Sequence, residues 1–372
     1  MKTVAIVINT AWNIYNFRLN LARKLKDKGY KVICIAPYDA HYTTKIVDEF
    51  LFYPIPFDSK GINPFKDLQS MKALWKLYRL VKPDIVLNFT IKPNIYSTYI
   101  AKLFGIQVIN TVTGLGTLFI KPSLITSFAQ VLYKIAFCFT YKIFFQNQDD
   151  YNLFFEKKLI SSKKCLVIPG SGVDLQRFNS RYKNKEDGVI RFILVARMLK
   201  DKGVFEFIEA SRRLKDYYPH IKFFLLGPLG IDNRTAITDT EMMHFVKEGY
   251  IEYLGNSDDV PSILREMDCV VLPSYREGIP RSLLEAAAMS KPIITTNVVG
   301  CKEVVDHGIN GFLCEPKNVD SLYNAIEKML LLSPEERFQM GKKGREKMEI
   351  FFDESIVIKA YLDAIQEALN SL

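Results

Sequence analysis

Short apolar runs alternate with longer segments of helical period, and the whole alternation occurs twice along the chain. Few folds accept that pattern. A strand that is apolar on both faces must be buried on both, which calls for a parallel sheet with helices on either side. In the first series Val4–Ile8, Val32–Ala36, Asp84–Phe89 and Gln107–Thr111 read as such strands. Between the first two, Phe17, Leu21 and Leu25 recur at four-residue steps with Lys and Arg on the other side, so the spacing predicts an amphipathic helix over 17–28, ended by Gly29. A second series, Phe192–Ala196, Lys222–Leu226, Ile251–Leu254, Cys269–Leu272 and Pro292–Thr296, begins after the polar stretch 179–190, NSRYKNKEDGVI, which reads as a domain break. Two α/β domains fit the 372-residue length, and a cleft between them is the default place for a substrate.

Composition narrows the class. At 48% hydrophobic residues the chain can bury two cores, so a disordered tail is excluded. The six cysteines (34, 138, 165, 269, 301, 314) form no CxxC pair and the four histidines lack metal-ligand spacing, so neither a disulfide framework nor structural zinc is expected, and a reducing compartment fits. Met1-Lys2-Thr3 runs directly into a strand, so no secretory signal is expected. The longest uncharged stretch, between Lys102 and Lys121, holds Gln107, Asn110, three threonines and three glycines, which makes it a poor membrane span. A soluble protein, or one attached to a membrane face, is the expectation. Charge is uneven: residues 1–185 carry 27 Lys+Arg against 11 Asp+Glu, or +16, while 186–372 carry 23 against 30, or −7. A basic half suits nucleic acid, an anionic membrane or a phosphorylated substrate.

Two local patterns carry chemistry. In Glu277-Gly278-Ile279-Pro280-Arg281-Ser282-Leu283-Leu284-Glu285, two carboxylates flank a loop and the start of a helix that follows the strand Cys269–Leu272. Gly278 leaves room for a ligand against the backbone, and the helix start favours anions. By spacing alone, a solvated or capping pair explains the glutamates equally well. In the second pattern Arg197 directly follows the strand Phe192–Ala196, and Lys202-Gly203 opens the next helix. Cations there are placed to hold a diphosphate, although surface charge also fits.

Taken together, the segment 251–316, the Arg197…Lys202 pair, the E-x7-E pair Glu277/Glu285 and the crossover VIPGSGVDLQRF (167–178) closely resemble the family 4 retaining glycosyltransferases, whose GT-B fold sets two Rossmann-like domains face to face. The resemblance is dense over 165–316 and looser before it. It implies an N-terminal acceptor-binding domain, 1–170, a nucleotide-sugar domain, 171–353, and a C-terminal helix, 354–372, that crosses back to the first. Arg197 and Lys202 would neutralise the departing diphosphate, Glu277 would bind donor-sugar hydroxyls and Glu285 the ribose. The backbone of Gly278, Ile279, Pro280 and Arg281 would line the sugar and phosphate, and Tyr253 and Leu254 would flank the base. No cofactor is implied beyond the UDP-sugar donor, and no metal: the chain has no Asp-x-Asp, and the family's front-face retaining route leaves leaving-group stabilisation to Arg and Lys. Lys200, Glu303 and His307 fall near the expected cleft without an assigned role.

The first half departs from the family pattern. Where many members have a Gly-Gly turn, this chain has the loop Asn9–Arg18, in which Asn13 and Arg18 are the candidate substrate contacts. Where many place a histidine, it has Thr113 within TVTGLG, or turn glycines without a substrate role. Segment 60–82 reads as a basic amphipathic helix with Phe65, Leu68, Met71, Trp75 and Tyr78 near one face; it fits a headgroup layer, or an ordinary outer helix whose apolar face packs on the sheet. The aromatic stretch 124–145 fits core or membrane. EGIPRSLLEA, GCKEV and TVTGLGTLF look like the branch that extends bacterial polyprenyl-diphosphate-linked sugars, similar to N-acetylgalactosaminyltransferases. That implies a nucleotide sugar and a polyprenyl-diphosphate-linked saccharide as partners at the cytoplasmic face of the inner membrane, with Arg18, Lys60 and Lys92 as candidate diphosphate contacts. A soluble acceptor and a GT-B sugar-nucleotide epimerase are the alternatives. Nucleic acid is not expected, since no motif of that class occurs.

Overall fold

The protein is described from a computed structural model that covers residues 1–57, 63–114, 124–179, 187–231, 233 and 235–371. Lys60, most of the 179–190 break and the TVTGLGTLF loop beyond Gly114 lie outside them. The chain forms two compact units, Met1–Ser171 with Ser355–Leu372, and Gly172–Glu354.

In the first unit, seven parallel strands, β1 (Thr3–Val7), β2 (Lys31–Ala36), β3 (Leu51–Pro54), β4 (Ile85–Phe89), β5 (Gln107–Val112), β6 (Lys142–Phe145) and β7 (Cys165–Val167), take the order β3-β2-β1-β4-β5-β6-β7. Alternate residues feed two cores, as the two-residue strand period requires. Val4, Ile6, Leu87 and Phe89 face α1 (Ala11–Phe17), α2 (Leu19–Asp27), α3 (Ala40–Val47) and the terminal α14 (Glu354–Asn370). Ala5, Val7, Ile33 and Val86 face α4 (Pro64–Val81) and α5 (Thr98–Leu103), while Ile143 and Phe145 pack on α6 (Leu124–Cys138) and α7 (Gln148–Glu156). The terminal helix is fastened by Tyr361, fully buried, whose ring stands edge-on to Phe144 and whose hydroxyl is 2.6 Å from Thr111 Oγ1.

Two expectations for this unit change. The segment 9–18, expected as a loop, is largely helix: Thr10 caps α1 by accepting from Asn13 N at 3.2 Å, and Ala11 and Ile14 bury its inner face. Arg18 then breaks the helical register with φ −128° and ψ −3°, so Phe17 closes α1 and does not share the apolar face of α2 formed by Leu21 and Leu25. The strands at 51–54, 142–145 and 165–167 are too short to stand out by period.

The second unit repeats the plan with β8 (Ile190–Val195), β9 (Ile221–Leu226), β10 (Glu252–Tyr253), β11 (Cys269–Leu272), β12 (Ile293–Thr296) and β13 (Gly311–Cys314), all parallel, in the order β10-β9-β8-β11-β12-β13. Phe192, Leu194, Phe223 and Val271 pack on α8 (Val204–Lys215), α9 (Asp239–Lys247) and α12 (Val319–Leu331). Ile193, Val270 and Leu272 pack on α10 (Val260–Arg265) and α11 (Arg281–Ala288), the latter beside α13 (Pro334–Lys347). Val173 N donates to Phe352 O at 2.8 Å and Glu354 N to Val173 O at 3.1 Å, so the two ends of this unit lie side by side. Among the described residues, no helix is long and apolar enough to cross a membrane.

Candidate active site

In each sheet the chain leaves the central strand in one direction and later resumes on its other side. Loops diverge there and open a crevice at the carboxyl ends of the strands. In the second unit that point lies between β8 and β11. Arg197, just past β8, is exposed, and the turn 200–202 carries Lys202 to the edge of the loop that follows β11.

There Lys202 Nζ meets Glu277 Oε1 in a close ion pair, with the two side chains only 15% and 14% exposed. The same oxygen accepts from Ser274 Oγ at 2.8 Å, and the Ser274 hydroxyl also lies 3.1 Å from Asp201 O. The carboxylate is therefore oriented by a cation and a buried hydroxyl before any ligand arrives. Two glycines hold the loop 273–280 from opposite sides. Gly203 has φ +73° and Gly300 φ +86°; a Cβ on the first would run into the Pro273 carbonyl, and on the second into the carbonyls of Glu277 and Gly278. Glu277 N donates to Val299 O at 3.1 Å, completing the clamp.

The helix α11 begins at Arg281 after Pro280, with no side-chain cap, so its first amide groups carry the positive end of the helix dipole. Glu285 sits one turn in and accepts from Arg281 Nε at 2.9 Å. Burial pushes its carboxyl above the usual range, against the opposing pull of Arg281 and then Arg177. Tyr253 is at the outer edge, its hydroxyl donating to Gly227 O at 2.8 Å, and Leu254 beside it is partly exposed.

Lys202, Glu277 and the 278–281 backbone are thus brought together, with Glu285 on the adjoining helix. Lys200 turns away, lying over the Phe205 ring and 3.7 Å from Glu241. His307 is engaged in its own turn, Nδ1 accepting from Leu313 N at 3.0 Å. Glu303 is half-buried. Ser274, Gly300 and Arg177 join this neighbourhood without a motif that singles them out in the sequence. The pairing of Ser274 with Glu277 three residues on was the one local signal available.

The first unit has its own switch point, between β1 and β4, with different contents. Arg18, expected at the substrate, is 2% exposed and stacks its guanidinium 4.3 Å above Phe89. Lys92 is paired with Asp67 at 2.6 Å, both largely buried. Asn13 and Thr113 are half-buried, one on α1 and one just past β5. Thr90, which no motif announced, holds φ +70° at the end of β4, a conformation rare for a β-branched residue.

Two family models match, in chain order: "Glycosyl transferase 4-like" over residues 3–147 and "Glycosyl transferases group 1" over 176–347. The chain is 30% identical over 378 residues, 97% of each chain, to the N,N'-diacetylbacillosaminyl-diphospho-undecaprenol alpha-1,3-N-acetylgalactosaminyltransferase of Campylobacter jejuni. It is 28% identical, over 82% of its length and 81% of the other, to the UDP-Gal:alpha-D-GlcNAc-diphosphoundecaprenol alpha-1,3-galactosyltransferase of Escherichia coli. A glycosyltransferase structure from Rickettsia africae superposes with TM-score 0.80 at 21% identity, covering 99% of this chain and 98% of that one. One Rossmann-like sheet per family model, a cation–carboxylate cluster at the second switch point and a full-length relative identify the chain as a family 4 glycosyltransferase of GT-B fold.

Proposed function

We propose that this glycosyltransferase moves a hexose or N-acetylhexosamine, with GalNAc the first candidate, from a UDP-α-sugar to a polyprenyl-diphosphate-linked saccharide in bacterial glycan assembly, with retention and without a metal. The observation that carries the reading is the Lys202–Glu277–Ser274 cluster beside the start of α11. The Campylobacter and Escherichia relatives, both named for undecaprenol-diphosphate acceptors, support the acceptor class.

On this reading the second unit takes the donor. Arg197 and Lys202 hold the diphosphate, Glu277 the sugar hydroxyls, Glu285 the ribose, and the 278–281 backbone lines the phosphates, with Tyr253 and Leu254 beside the base. The bond between the sugar C1 and the diphosphate oxygen breaks, and its electron pair stays on that oxygen. The acceptor hydroxyl bonds to C1 from the same face and passes its proton to the departing oxygen. Fixed cations lower this barrier because charge grows on the diphosphate as the bond breaks. The first unit takes the acceptor, with Asn13 and Thr113 its candidate contacts, at the cytoplasmic face of the inner membrane.

A nucleotide-release screen over UDP- and GDP-sugars, with and without a diphosphate-linked acceptor and with added chelator, tests the reading. Chelator-resistant UDP release that requires the acceptor is the expected result. Release without a diphosphate acceptor would transfer the reaction to a soluble one, and chelator-sensitive release would end the metal-free mechanism.

A further inference from the structure

In the first unit, α4, α5 and α6 cover the same side of the sheet, and their outer surfaces have an unusual content. The three helices hold six cations, Lys66, Lys72, Lys76, Arg79, Lys102 and Lys134, all exposed, against one carboxylate, Asp67, which is buried and spent on Lys92. Large apolar side chains stand among these cations. The packing face of α4 is made by Ser70, Leu74, Leu77 and Tyr78, so Phe65, Leu68 and Trp75 of the expected apolar face point outward. On α6, Tyr133, Ala136 and Phe137 face the core while Phe128 (60% exposed), Val131 and Ile135, followed by Phe139 just beyond the helix, form one outward stripe at helical spacing.

These patches are continuous. The Trp75 ring meets Phe104, just past α5, with centroids 6.3 Å apart; Lys102 lies 5.4 Å over Phe139, just past α6; and Arg79 lies 5.5 Å over Trp75. Cations folded over aromatic rings on three helices that show no exposed acid among the described residues match the headgroup layer of an anionic bilayer, where rings sit at the acyl boundary and ammonium groups meet phosphates. Phe338 on α13 of the second unit, also exposed, sits instead among Glu335, Glu336 and Arg337.

We propose that the α4–α6 face of the first unit is the surface by which the enzyme docks on anionic lipid. The proposal rests on the reading that the acceptor is membrane-borne, and adds which surface meets the lipid and which lipid charge it selects.

The test is co-sedimentation of the full-length protein with vesicles of phosphatidylcholine alone and of phosphatidylcholine mixed with phosphatidylglycerol. Binding to the mixed vesicles, weak on the neutral ones and reduced by salt, is expected. Phe128→Ser with Phe139→Ser lowers partitioning by about tenfold or more, as loss of two inserted rings implies. Lys72→Glu with Lys76→Glu abolishes the preference for anionic lipid, while Phe338→Ser changes neither. Transfer to a short-chain, water-soluble diphosphate-linked sugar reports that the variants remain folded. Equal or absent binding to both vesicles, with that soluble transfer intact, overturns the docking face and leaves the acceptor reading standing. Vesicle binding with no transfer to any diphosphate acceptor does the reverse. A dimer that the Phe128/Phe139 variant dissociates, with vesicle binding unchanged, assigns the face to a second copy and also overturns the proposal.

Discussion

The two switch points share a topology and differ in content. Between β8 and β11, Lys202 and Ser274 both bond to Glu277 at the edge of the crevice, and glycines press the loop from both sides. Between β1 and β4, Arg18 is turned into the core against Phe89, Lys92 is neutralised by Asp67, and strain is concentrated at Thr90. The central strands differ as well: Asn88 and Asn110 join across β4 and β5 at 2.9 Å inside the first sheet, whereas β8 and β11 are apolar apart from Arg191. One edge is organised before its ligand arrives; the other spends its charges on its own fold. On the proposed reading, a nucleotide sugar would suit the prebuilt edge and the acceptor the other.

The largest expected effect breaks the prebuilt cluster. Lys202→Ala should lower turnover by about 10²–10³-fold, the scale for removing one preorganised stabiliser of developing negative charge. Glu277→Gln should do similar damage, and the double variant should lose little more than either alone, because the two side chains act as one unit. Additive losses measured by nucleotide release would show that the ion pair is incidental to the way each residue meets the donor.

A sharper contrast uses two glycines with nearly the same backbone, Gly300 at φ +86° and Gly29 at φ +84°. Nothing lies within 4 Å of a Cβ built on Gly29, whereas one on Gly300 meets the carbonyls of Glu277 and Gly278. Gly300→Ala should displace that loop and cost about 10²-fold in kcat/KM, as a misplacement of roughly 1 Å does. Gly29→Ala should cost only about 1 kcal/mol of stability, from the positive φ, with activity retained. Equal losses of activity would mean that conformational strain alone, not contact with the site, explains Gly300.

What was legible in the sequence follows from how local each signal is. The strands at 269–272 and 190–195 and the start of α11 announce themselves through apolar runs, a turn and a proline, all within a few residues. The partnership of Lys202 with Glu277 spans 75 positions, and the fit of Gly300 against Glu277 depends on β12 lying beside β11. No periodicity carries such information, so Ser274 and Gly300 became visible only in the fold. The same limit explains α1: Asn9–Arg18 lacks a long apolar period, and the Thr10 cap together with burial of Ala11 and Ile14 supplies the helix. On α4, the apolar stripe that fits either a headgroup layer or packing on the sheet divides between the two sides: Tyr78 packs inward with Asp67, Ser70, Leu74 and Leu77, while Phe65, Leu68 and Trp75 are exposed.

A more modest effect is expected at Arg18. Its guanidinium, buried over Phe89, contributes through packing and a desolvated cation–π contact, so Arg18→Met should lower stability by about 2 kcal/mol. Acceptor KM should stay unchanged, measured beside the thermal midpoint. A raised KM with an unaltered midpoint would return Arg18 to the substrate and erase part of the contrast between the two edges.

The smallest effect concerns Glu285 and has opposite signs in two measurements. Burial, opposed by Arg281 and Arg177, holds its native carboxyl above the 4.5 of an ordinary glutamate. Folding therefore takes up a proton at that group. Its contribution favours the native state most at pH below the unfolded value and fades as pH climbs through the native one. Donor affinity should move the other way, since only the ionised carboxylate can accept both ribose hydroxyl protons. Across the same interval the thermal midpoint should slip downward while donor KM falls, and Glu285→Gln should flatten both curves at a few-fold higher KM. If the Gln variant keeps the wild-type pH profile, the titrating group is elsewhere and Glu285 belongs to the helix it shares with Arg281 rather than to the donor.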